Sequence, residues 1–315
     1  MTLTIGVDVG GTKVAGGVVD ADGRVLAHIR RDTPATDGLG TRDTIVAVVA
    51  ELAAAYPVTA VGIGAAAWID AAGSTVLFAP NLAWRDEPLR DHVADAVGLP
   101  TVLENDANVA AWAEFRYGAA RTAEDSMVMI TVGTGIGGGI VINGGLWRGN
   151  NGIAAELGHM LVVSDGHPCG CGRLGCLEQY ASGTALVRFA RAAAALDPDR
   201  APILLELAAG DAEAITGPMV TTAAQKGDPV ARDVFEQVGY WLGVAMADLV
   251  QIIDPQVVVV GGGVIDAGDL LIGPAERTYR DQLAQRGRLP VAPVLAAETG
   301  NTAGVVGAAD LARRI

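Results

Sequence analysis

The chain has 315 residues, half of them hydrophobic but only 4% aromatic, which is enough apolar material for one large domain or two ordinary lobes. Its net charge of −14 weighs against nucleic acid or an anionic membrane as a partner, since both favour basic surfaces. Neither a signal peptide nor an apolar run of about 18 residues is visible, so we expect a cytoplasmic protein that does not span a membrane.

Alternating apolar residues separated by Gly and Asp predict an antiparallel meander at the start of the chain. Helical and buried-strand patterns then alternate. The predicted elements, in chain order, are strands at 3–9, 14–19 and 25–29, a helix at 41–56, a strand at 58–63, a helix at 88–97, a strand at 100–103 and a helix at 107–117 that Gly118 closes.

The order of strand, glycine loop, strand and turn then occurs a second time. It comprises a strand at 127–132, a glycine loop at 133–139, a strand at 140–142 and an Asn143-Gly144 hairpin turn. The spacing of about 125 residues indicates two lobes of related architecture rather than a short-period repeat.

After a loop-rich segment at 148–178, helices predominate up to Ile253, and a strand at 256–260 and a closing helix at 301–313 follow. We therefore expect an N-terminal α/β lobe at 1–118, which the C-terminal helix at about 300–315 joins. A larger C-terminal α/β lobe is expected at 119–299.

Three glycine-rich loops each follow a predicted strand, and glycine lets backbone amides approach a phosphate closely and adopt positive φ. We predict that they bind a nucleotide, with hydroxyl donors from threonine, a charge from lysine and Mg²⁺ held by the aspartate through water. The alternative is that each loop is only a tight hairpin. The residues are Asp8, Gly10, Gly11, Thr12 and Lys13 in the first loop, Gly133, Thr134 and Gly135 in the second, and Gly261, Gly262 and Gly263 in the third.

Asp106 follows one predicted strand and precedes a helix. It is a candidate general base, because open α/β sheets bind ligands at the carboxyl ends of their strands and a kinase needs a carboxylate beside the acceptor hydroxyl. The alternative is a simple helix N-cap. Asn105 is a candidate hydrogen-bond partner for other hydroxyls of a polyol.

His159, Cys169, Cys171 and Cys176 are one nitrogen and three sulfur ligands within a short segment, a set that matches a closed tetrahedral zinc site. The alternative is three free thiols and an unrelated histidine. Because a closed site has no position for water, we expect the zinc to be structural. Glu156 and Glu178 flank this cluster and are candidate acceptors for sugar hydroxyls, although each would ordinarily be an exposed surface glutamate.

Together these motifs resemble the ROK family of bacterial sugar kinases, repressors and related proteins, over nearly the whole chain. The most specific segments are Glu104-Asn105-Asp106-Ala107-Asn108, Glu156-x-Gly158-His159 and the run from Cys169 to Glu178. The overall pattern is most similar to actinobacterial glucokinases. One loop departs from the family, since Ala65-Ala66-Ala67 stands where a Pro-Gly pair is common.

The resemblance implies a two-lobed, actin/hexokinase-like (ribonuclease H-like) ATPase fold of the α/β class with a sugar and ATP in the interlobe cleft. It implies Asp106 as the base, Asn81, Asn105, Asp106, Glu156, His159 and Glu178 as sugar ligands, and a homodimer or higher homo-oligomer. The expected activity is ATP- and Mg²⁺-dependent phosphorylation of glucose at its primary hydroxyl, the entry step of glycolysis.

Other functions stay open at this stage. The acceptor could be mannose, fructose or an N-acetylhexosamine, because polar-contact geometry decides selectivity. The donor could be polyphosphate, although a long polyanion would favour a basic groove. A non-catalytic sugar-sensing repressor would carry a helix-turn-helix before the first phosphate motif, where Asp8 leaves no room, and its DNA would repel an acidic surface.

Overall fold

The computed structural model describes residues 2–284 and 290–315 and separates them into two units. The first unit comprises the chain up to Met127, Gly139–Ala155 and Glu298–Ile315; the second comprises Val128–Gly138 and Glu156–Ala297. Both units contain strands and helices, as the sequence predicts for an α/β protein.

The elements predicted within residues 3–117 are all present, with ends shifted by a few residues. The strands of the first unit are β1 (Leu3–Val9), β2 (Lys13–Val19), β3 (Val25–Asp32), β4 (Val58–Ala65), β5 (Trp68–Ile69), β6 (Val76–Phe78), β7 (Arg85–Glu87) and β8 (Thr101–Asn105). Its helices are α1 (Gly38–Ala55), α2 (Leu89–Val97), α3 (Asp106–Tyr117) and, near the end of the chain, α10 (Ala303–Ala312). The strands β5, β6 and β7 were not predicted, because two or three residues are too few to show a period.

The main sheet of the first unit has the strand order β3-β2-β1-β4-β8. β1 pairs antiparallel with β2 but parallel with β4, and β4 pairs parallel with β8. In this register Val9 lies opposite Ala65, and Ala65 lies opposite Asn105. The carboxyl ends of the three parallel strands are therefore level, and the residues that follow them emerge at one edge of the sheet.

Helix α10 lies directly against this sheet because two strands carry glycine at the contact. A Cβ atom on Gly6 of β1 would overlap the carbonyl oxygen of Val305, and one on Gly62 of β4 would overlap that of Ala308. On the other face, the side chain of Val48 in α1 fills the space beside Gly16 of β2. Helices thus cover both faces of the sheet, and the end of the chain completes the first unit.

A second five-stranded sheet has the order β11-β10-β9-β12-β13. Its strands are β9 (Met127–Val132), β10 (Ile136–Ile142), β11 (Gly145–Leu146), β12 (Val257–Gly261) and β13 (Val294–Ala296). The predicted hairpin turn between β10 and β11 is confirmed, since Asn143 and Gly144 both have positive φ.

The second glycine loop is shorter than predicted, because β10 begins at Ile136 and only 133–135 remain outside a strand. Gly139 therefore belongs to the strand, where a Cβ atom would overlap the Cβ atom of Ala111 in α3. This glycine serves close packing and not the loop.

Helices predominate in the second unit, as predicted for the stretch up to Ile253. They are α4 (Glu178–Ala181), α5 (Gly183–Leu196), α6 (Pro202–Leu207), α7 (Gly217–Gln225), α8 (Pro229–Ile253) and α9 (Asp269–Ala284). Helix α9 was not predicted, because Pro274 within it obscures the helical pattern. It packs on α8 at Gly239 and Gly243, where a Cβ atom would lie 2.6 Å from Pro274 Cβ and would overlap Ala275 O, respectively. None of the described helices has both the length and the hydrophobicity needed to cross a bilayer.

The observed division of the chain differs from the predicted lobes at 119–127 and 139–155, which cluster with the first unit. Side-chain contacts explain both differences. The amide of Ala119 donates to the buried carboxylate of Glu114 at 2.8 Å, and Arg148 pairs with Glu104 at 2.8 Å. The second contact joins residues that are far apart in the chain, and such a contact leaves no pattern in the local sequence.

Gly62→Ala is expected to lower the free energy of unfolding by about 3 kcal/mol, because the new methyl group would force α10 away from the sheet. Urea denaturation measures the change. Gly273→Ala in α9 is the matched control, since its methyl group would meet only the end of the Arg277 side chain at 3.4 Å. Equal stability of the two variants would contradict the proposed contact.

Candidate active site

The first glycine loop connects β1 to β2, and its shape is fixed by hydrogen bonds. The amide of Gly10 donates to Lys13 O at 3.0 Å. Thr33 donates twice, from Oγ1 to Gly10 O at 2.8 Å and from its amide to Thr12 O at 3.2 Å. The loop is therefore held in place by the protein itself, as a phosphate-binding turn must be.

Space, rather than a left-handed backbone, explains the glycines of this loop. Neither Gly10 nor Gly11 has a positive φ, so of the two expected reasons for these glycines the left-handed backbone does not apply here. A Cβ atom on Gly10 would find its nearest neighbour at 3.8 Å, whereas one on Gly11 would lie 3.1 Å from Asn81 Cβ. Gly10 leaves room beside the backbone, and Gly11 allows close contact with a predicted sugar ligand.

Asp8 lies at the end of β1, beneath this loop. Its Oδ2 lies 3.9 Å from Lys13 Nζ, and a Cβ atom on Gly304 would come within 2.7 Å of its carboxyl carbon. Burial raises the pKa of Asp8, and the charge of Lys13 partly offsets this shift. A second cation beside this carboxylate would stabilise its charged form further.

Asn105, and not Asp106, caps helix α3. Asn105 Oδ1 accepts hydrogen bonds from the amides of Ala107 and Asn108 at 2.9 and 3.1 Å, while Nδ2 donates to Ala67 O at 3.1 Å. The capping alternative for Asp106 is therefore wrong. Asn105 keeps a single N–H for any ligand, which limits its predicted part in sugar binding.

Asp106 is the first residue of α3 and directly follows the carboxyl end of β8. Because the ends of β1, β4 and β8 are level, Asp106 emerges at the same edge of the sheet as the first glycine loop. The register thus brings the predicted base and the predicted phosphate-binding turn to one edge of the sheet.

An ion pair that was not predicted joins the buried Glu104, two residues before Asp106, to the partly exposed Arg148. Glu104 is 4% exposed, and its Oε2 lies 2.8 Å from Arg148 Nε. Its Oε1 accepts from the Asn105 amide at 2.9 Å and from Asn108 Nδ2 at 3.0 Å. Burial raises the pKa of Glu104, and Arg148 and these hydrogen bonds oppose the shift. The pair holds the strand end from which Asn105 and Asp106 extend.

In the second unit, the glycine loop 133–135 is held by the residues after the cysteine cluster. The amide of Gly183 donates to Gly133 O at 2.8 Å, and Thr184 Oγ1 donates to Thr134 O at 2.7 Å. Glu178 Oε2 accepts from the Ile136 amide at 3.1 Å. A Cβ atom on Gly133 would meet nothing within 4 Å, so this glycine leaves space beside the loop.

The third glycine loop ends β12 and lies beside β9. Gly262 has a φ of +92°, and a Cβ atom there would lie 2.5 Å from Val132 O. Gly263 has open space where a Cβ atom would be. In this loop the predicted use of positive φ is confirmed at Gly262.

The second and third glycine loops line one cavity of about 670 Å³ within the second unit. Gly133 and Thr134 form one part of its wall, Gly263 and the segment after it another, and α5 and α7 supply the rest. The residues from α7 and the segment after Gly263 that line it are Gly217, Pro218, Thr221, Thr222, Gln225, Val264, Asp266 and Ala267. A cavity of this volume, with two glycine loops in its wall, has the size and the backbone groups to accept a nucleotide.

The predicted metal cluster is assembled. The ligand atoms of His159, Cys169, Cys171 and Cys176 all lie within 4.8 Å of one another. His159 Nδ1 lies 3.6 Å from Cys169 Sγ, and Cys171 Sγ lies 3.6 Å from Cys176 Sγ. Tetrahedral bonds of about 2.3 Å to sulfur require ligand separations of about 3.8 Å, so these residues fit such an ion.

Glycines shape the loop that carries these cysteines. Gly172 and Gly175 both have positive φ, as the tight loop was predicted to require, whereas Gly170 does not. Burial and the neighbouring thiols raise the pKa of Cys176 to about 12. Binding of a metal as thiolate must therefore displace protons from this cluster.

Glu156 and His159 are brought together beside the cluster. His159 Nε2 lies 3.9 Å from Glu156 Oε2, on the opposite side of the ring from the nitrogen that faces Cys169. His159 can thus bind a metal through Nδ1 and present Nε2 to a ligand. Glu178 shares the second unit with these two residues.

Sequence reasoning missed the residues that act from a distance. Thr33, Arg148 and Thr184 each hold a site segment but belong to no motif. The wall of the cavity on α7 is equally unmarked in the sequence. The only mark of this wall in the sequence is a set of polar residues on α7, Thr221, Thr222 and Gln225. An ordinary surface helix carries polar residues of the same kind.

Comparison with a family model, with known sequences and with solved structures points to one family. The ROK family model matches residues 4–315. A glucokinase of Streptomyces coelicolor is 48% identical over 313 residues, covering 99% of this chain and 98% of that protein. The crystal structure of a ROK family glucokinase from Streptomyces griseus, in complex with glucose and AMPPNP, is 51% identical, has a TM-score of 0.88 and covers 99% of this chain and 100% of that chain.

A ROK hexokinase from Thermus thermophilus is 34% identical, with a TM-score of 0.84 over 99% of this chain and 98% of that chain. These likenesses confirm the predicted actin/hexokinase-like fold.

Arg148→Met is expected to lower the free energy of unfolding at neutral pH by about 3 kcal/mol, because Glu104 would keep a buried charge without its partner. Since the pKa of Glu104 is raised, its charge costs stability above that pKa, and protonation removes the cost. The difference from the wild type should therefore shrink as the pH is lowered. Urea denaturation at neutral and mildly acidic pH measures both effects.

The double variant Glu104→Gln/Arg148→Met is the control, because it removes both charges together. Most of the lost stability should return. The role of this pair would be contradicted if Arg148→Met were as stable as the wild type at neutral pH. It would also be contradicted if the difference in free energy of unfolding grew as the pH was lowered.

Proposed function

This chain belongs to the ROK family, and we propose that it is a glucokinase that transfers the terminal phosphoryl group of ATP to the primary hydroxyl of glucose. The observation that carries the proposal is the 48% identity to the Streptomyces coelicolor glucokinase over nearly the full length of both chains. The products are glucose 6-phosphate and ADP.

The base in this proposal is Asp106. As the primary hydroxyl attacks the terminal phosphorus, the new O–P bond forms, the bond from phosphorus to the ADP oxygen breaks, and the hydroxyl proton passes to Asp106. The cap supplied by Asn105 is consistent with this role, because Asn105 and not Asp106 satisfies the first amides of the helix.

The nucleotide is proposed to occupy the cavity that the second and third glycine loops line, with its phosphates at the loop amides. In the first unit, Gly10, Gly11, Thr12 and Lys13 would supply further donors and a positive charge to the transferring group. Mg²⁺, held through water by Asp8, would neutralise charge on the phosphates during transfer.

The sugar ligands are proposed to be Asn81 and Asn105 from the first unit and Glu156, His159 and Glu178 from the second. Carboxylates accept hydrogen bonds from hydroxyl groups, and an amide N–H or a ring N–H donates to hydroxyl oxygens. This mixture of donors and acceptors suits a polyol, in which each hydroxyl can do both.

Zinc is proposed as the ion of the His159, Cys169, Cys171 and Cys176 cluster, in a structural role. A closed set of four ligands supplies no reactive position, so its chemistry would be limited to fixing the loop. We also propose a cytoplasmic location, where ATP is available and thiols stay reduced, and a homo-oligomeric state, as the resemblance to the family implies.

Asp106→Asn is expected to lower kcat by a factor of a thousand or more while the dissociation constant for glucose changes little, because the amide keeps the shape but accepts no proton. ADP release with Mg-ATP and calorimetric glucose binding measure the two quantities. The control is Asp269→Asn, which changes the first residue of α9 and should leave both unchanged. A loss of glucose binding equal to the loss of turnover would contradict the role as base.

The same assay with a panel of hexoses tests the proposed function. Glucose and ATP should give the highest kcat/KM. Preferred turnover of mannose, fructose or an N-acetylhexosamine would replace the sugar, and turnover with polyphosphate alone would replace the donor. Folded, metal-loaded protein that phosphorylates no sugar would overturn the kinase proposal.

Cys171→Ser is expected to reduce the bound zinc below one ion per chain and to lower the melting temperature, because three ligands hold the ion less tightly. Elemental analysis and thermal denaturation provide the measurements. Ser164→Ala, an exposed position of the same segment, is the control. An unchanged zinc content and melting temperature in Cys171→Ser would exclude the structural site.

A further inference from the structure

The carboxylate of Glu178 is bonded to the glycine loop that lines the nucleotide cavity. Its Oε2 accepts the amide of Ile136 at 3.1 Å, and a Cβ atom on Gly135 would overlap the same oxygen. We infer that Glu178 is a positioning residue that couples sugar affinity to the conformation of this loop. The inference rests on the proposed function, in which Glu178 binds sugar and Gly133 to Gly135 face the nucleotide.

The two contacts leave the loop little freedom beside Glu178. The peptide between Gly135 and Ile136 donates its N–H to the carboxylate, and the absence of a side chain on Gly135 permits the approach. On the other side, a Cβ atom on Gly158 would overlap Ile136 O. Displacement of the carboxylate would therefore displace the loop, and a shift of the loop would displace the carboxylate.

The other end of the loop belongs to the cavity. Gly133 and Thr134 line it, and their carbonyl groups accept from Gly183 and Thr184. Glu178 thus acts at one end of a segment of four residues whose other end faces the nucleotide. The segment is too short, and bonded at too many points, for its ends to move independently.

Binding free energies of two ligands that bias one shared element are coupled reciprocally. A sugar hydroxyl bonded to Glu178 would hold the carboxylate in the position that orders the loop, and an ordered loop would keep the carboxylate in the position that binds sugar. Glucose and nucleotide should therefore strengthen each other's binding through Glu178, in addition to any other source of cooperativity.

Gly135→Ala tests the inference, since it changes the nucleotide loop and is read out on sugar binding. The new methyl group would push Glu178 aside, so the dissociation constant for glucose, measured by calorimetry without nucleotide, should rise about tenfold, as expected for a lost hydrogen bond to a charged group. Gly273→Ala in α9 is the control: it lies outside the proposed site, its methyl group would meet only the end of the Arg277 side chain at 3.4 Å, and glucose affinity without nucleotide should stay at the wild-type value. Equal glucose affinity in Gly135→Ala and the wild type would overturn the inference.

Two variants of Glu178 test the same inference if Gly135→Ala does not fold. Glu178→Ala should weaken binding of a non-hydrolysable ATP analogue, measured without sugar, by about tenfold, because Ile136 loses its acceptor. Glu178→Gln retains an acceptor oxygen and should restore nucleotide affinity. Wild-type nucleotide affinity in Glu178→Ala would overturn the inference, whereas a wild-type protein that binds no glucose would instead overturn the proposed function.

Discussion

The register of three parallel strands is the constraint on which the first unit depends. Val9, Ala65 and Asn105 lie level across β1, β4 and β8, so the loop after β1 and the helix after β8 begin at the same edge. Helix α10 lies flush against two of these strands, at Gly6 of β1 and Gly62 of β4. The edge that carries Asp106 therefore belongs to a sheet whose packing depends on residues that have no side chain.

Glycine has three separate uses in this chain, and they carry different physical costs. At Gly62 and Gly139 it removes a Cβ atom that would prevent two elements from touching. At Gly175 and Gly262 it permits a left-handed backbone. At Gly133 and Gly263 it keeps space empty. Of these glycines, only at Gly133 and Gly263 would an added methyl group meet no protein atom, so substitution by alanine there should not disturb the packing of the protein without ligands.

Local patterns predicted most elements of the first unit and four side chains that do lie together in the structure, His159, Cys169, Cys171 and Cys176, because strand period, turn chemistry and Cys spacing are short-range properties. These local patterns did not predict features that depend on contacts between residues far apart in the chain. Arg148, in the segment 139–155, pairs with Glu104 of the first unit, and the Asn105 side chain that caps α3 also donates to Ala67 O, which is far away in the sequence. The α7 wall of the cavity was missed because its polar residues resemble those of any half-exposed helix.

Two of the three glycine loops each have one glycine that lies close to a predicted sugar ligand: Gly11 lies close to Asn81 and Gly135 to Glu178. A substitution at Gly11 or Gly135 that altered the preference for the phosphoryl donor would therefore be expected to alter sugar binding as well. The opposite wall, at Thr221 and Gln225 of α7, has no such contact with a sugar-side residue among the interactions described. Under the proposed function, substitutions that change donor preference should therefore accumulate on α7, because substitutions at Gly11 and Gly135 would also alter sugar binding.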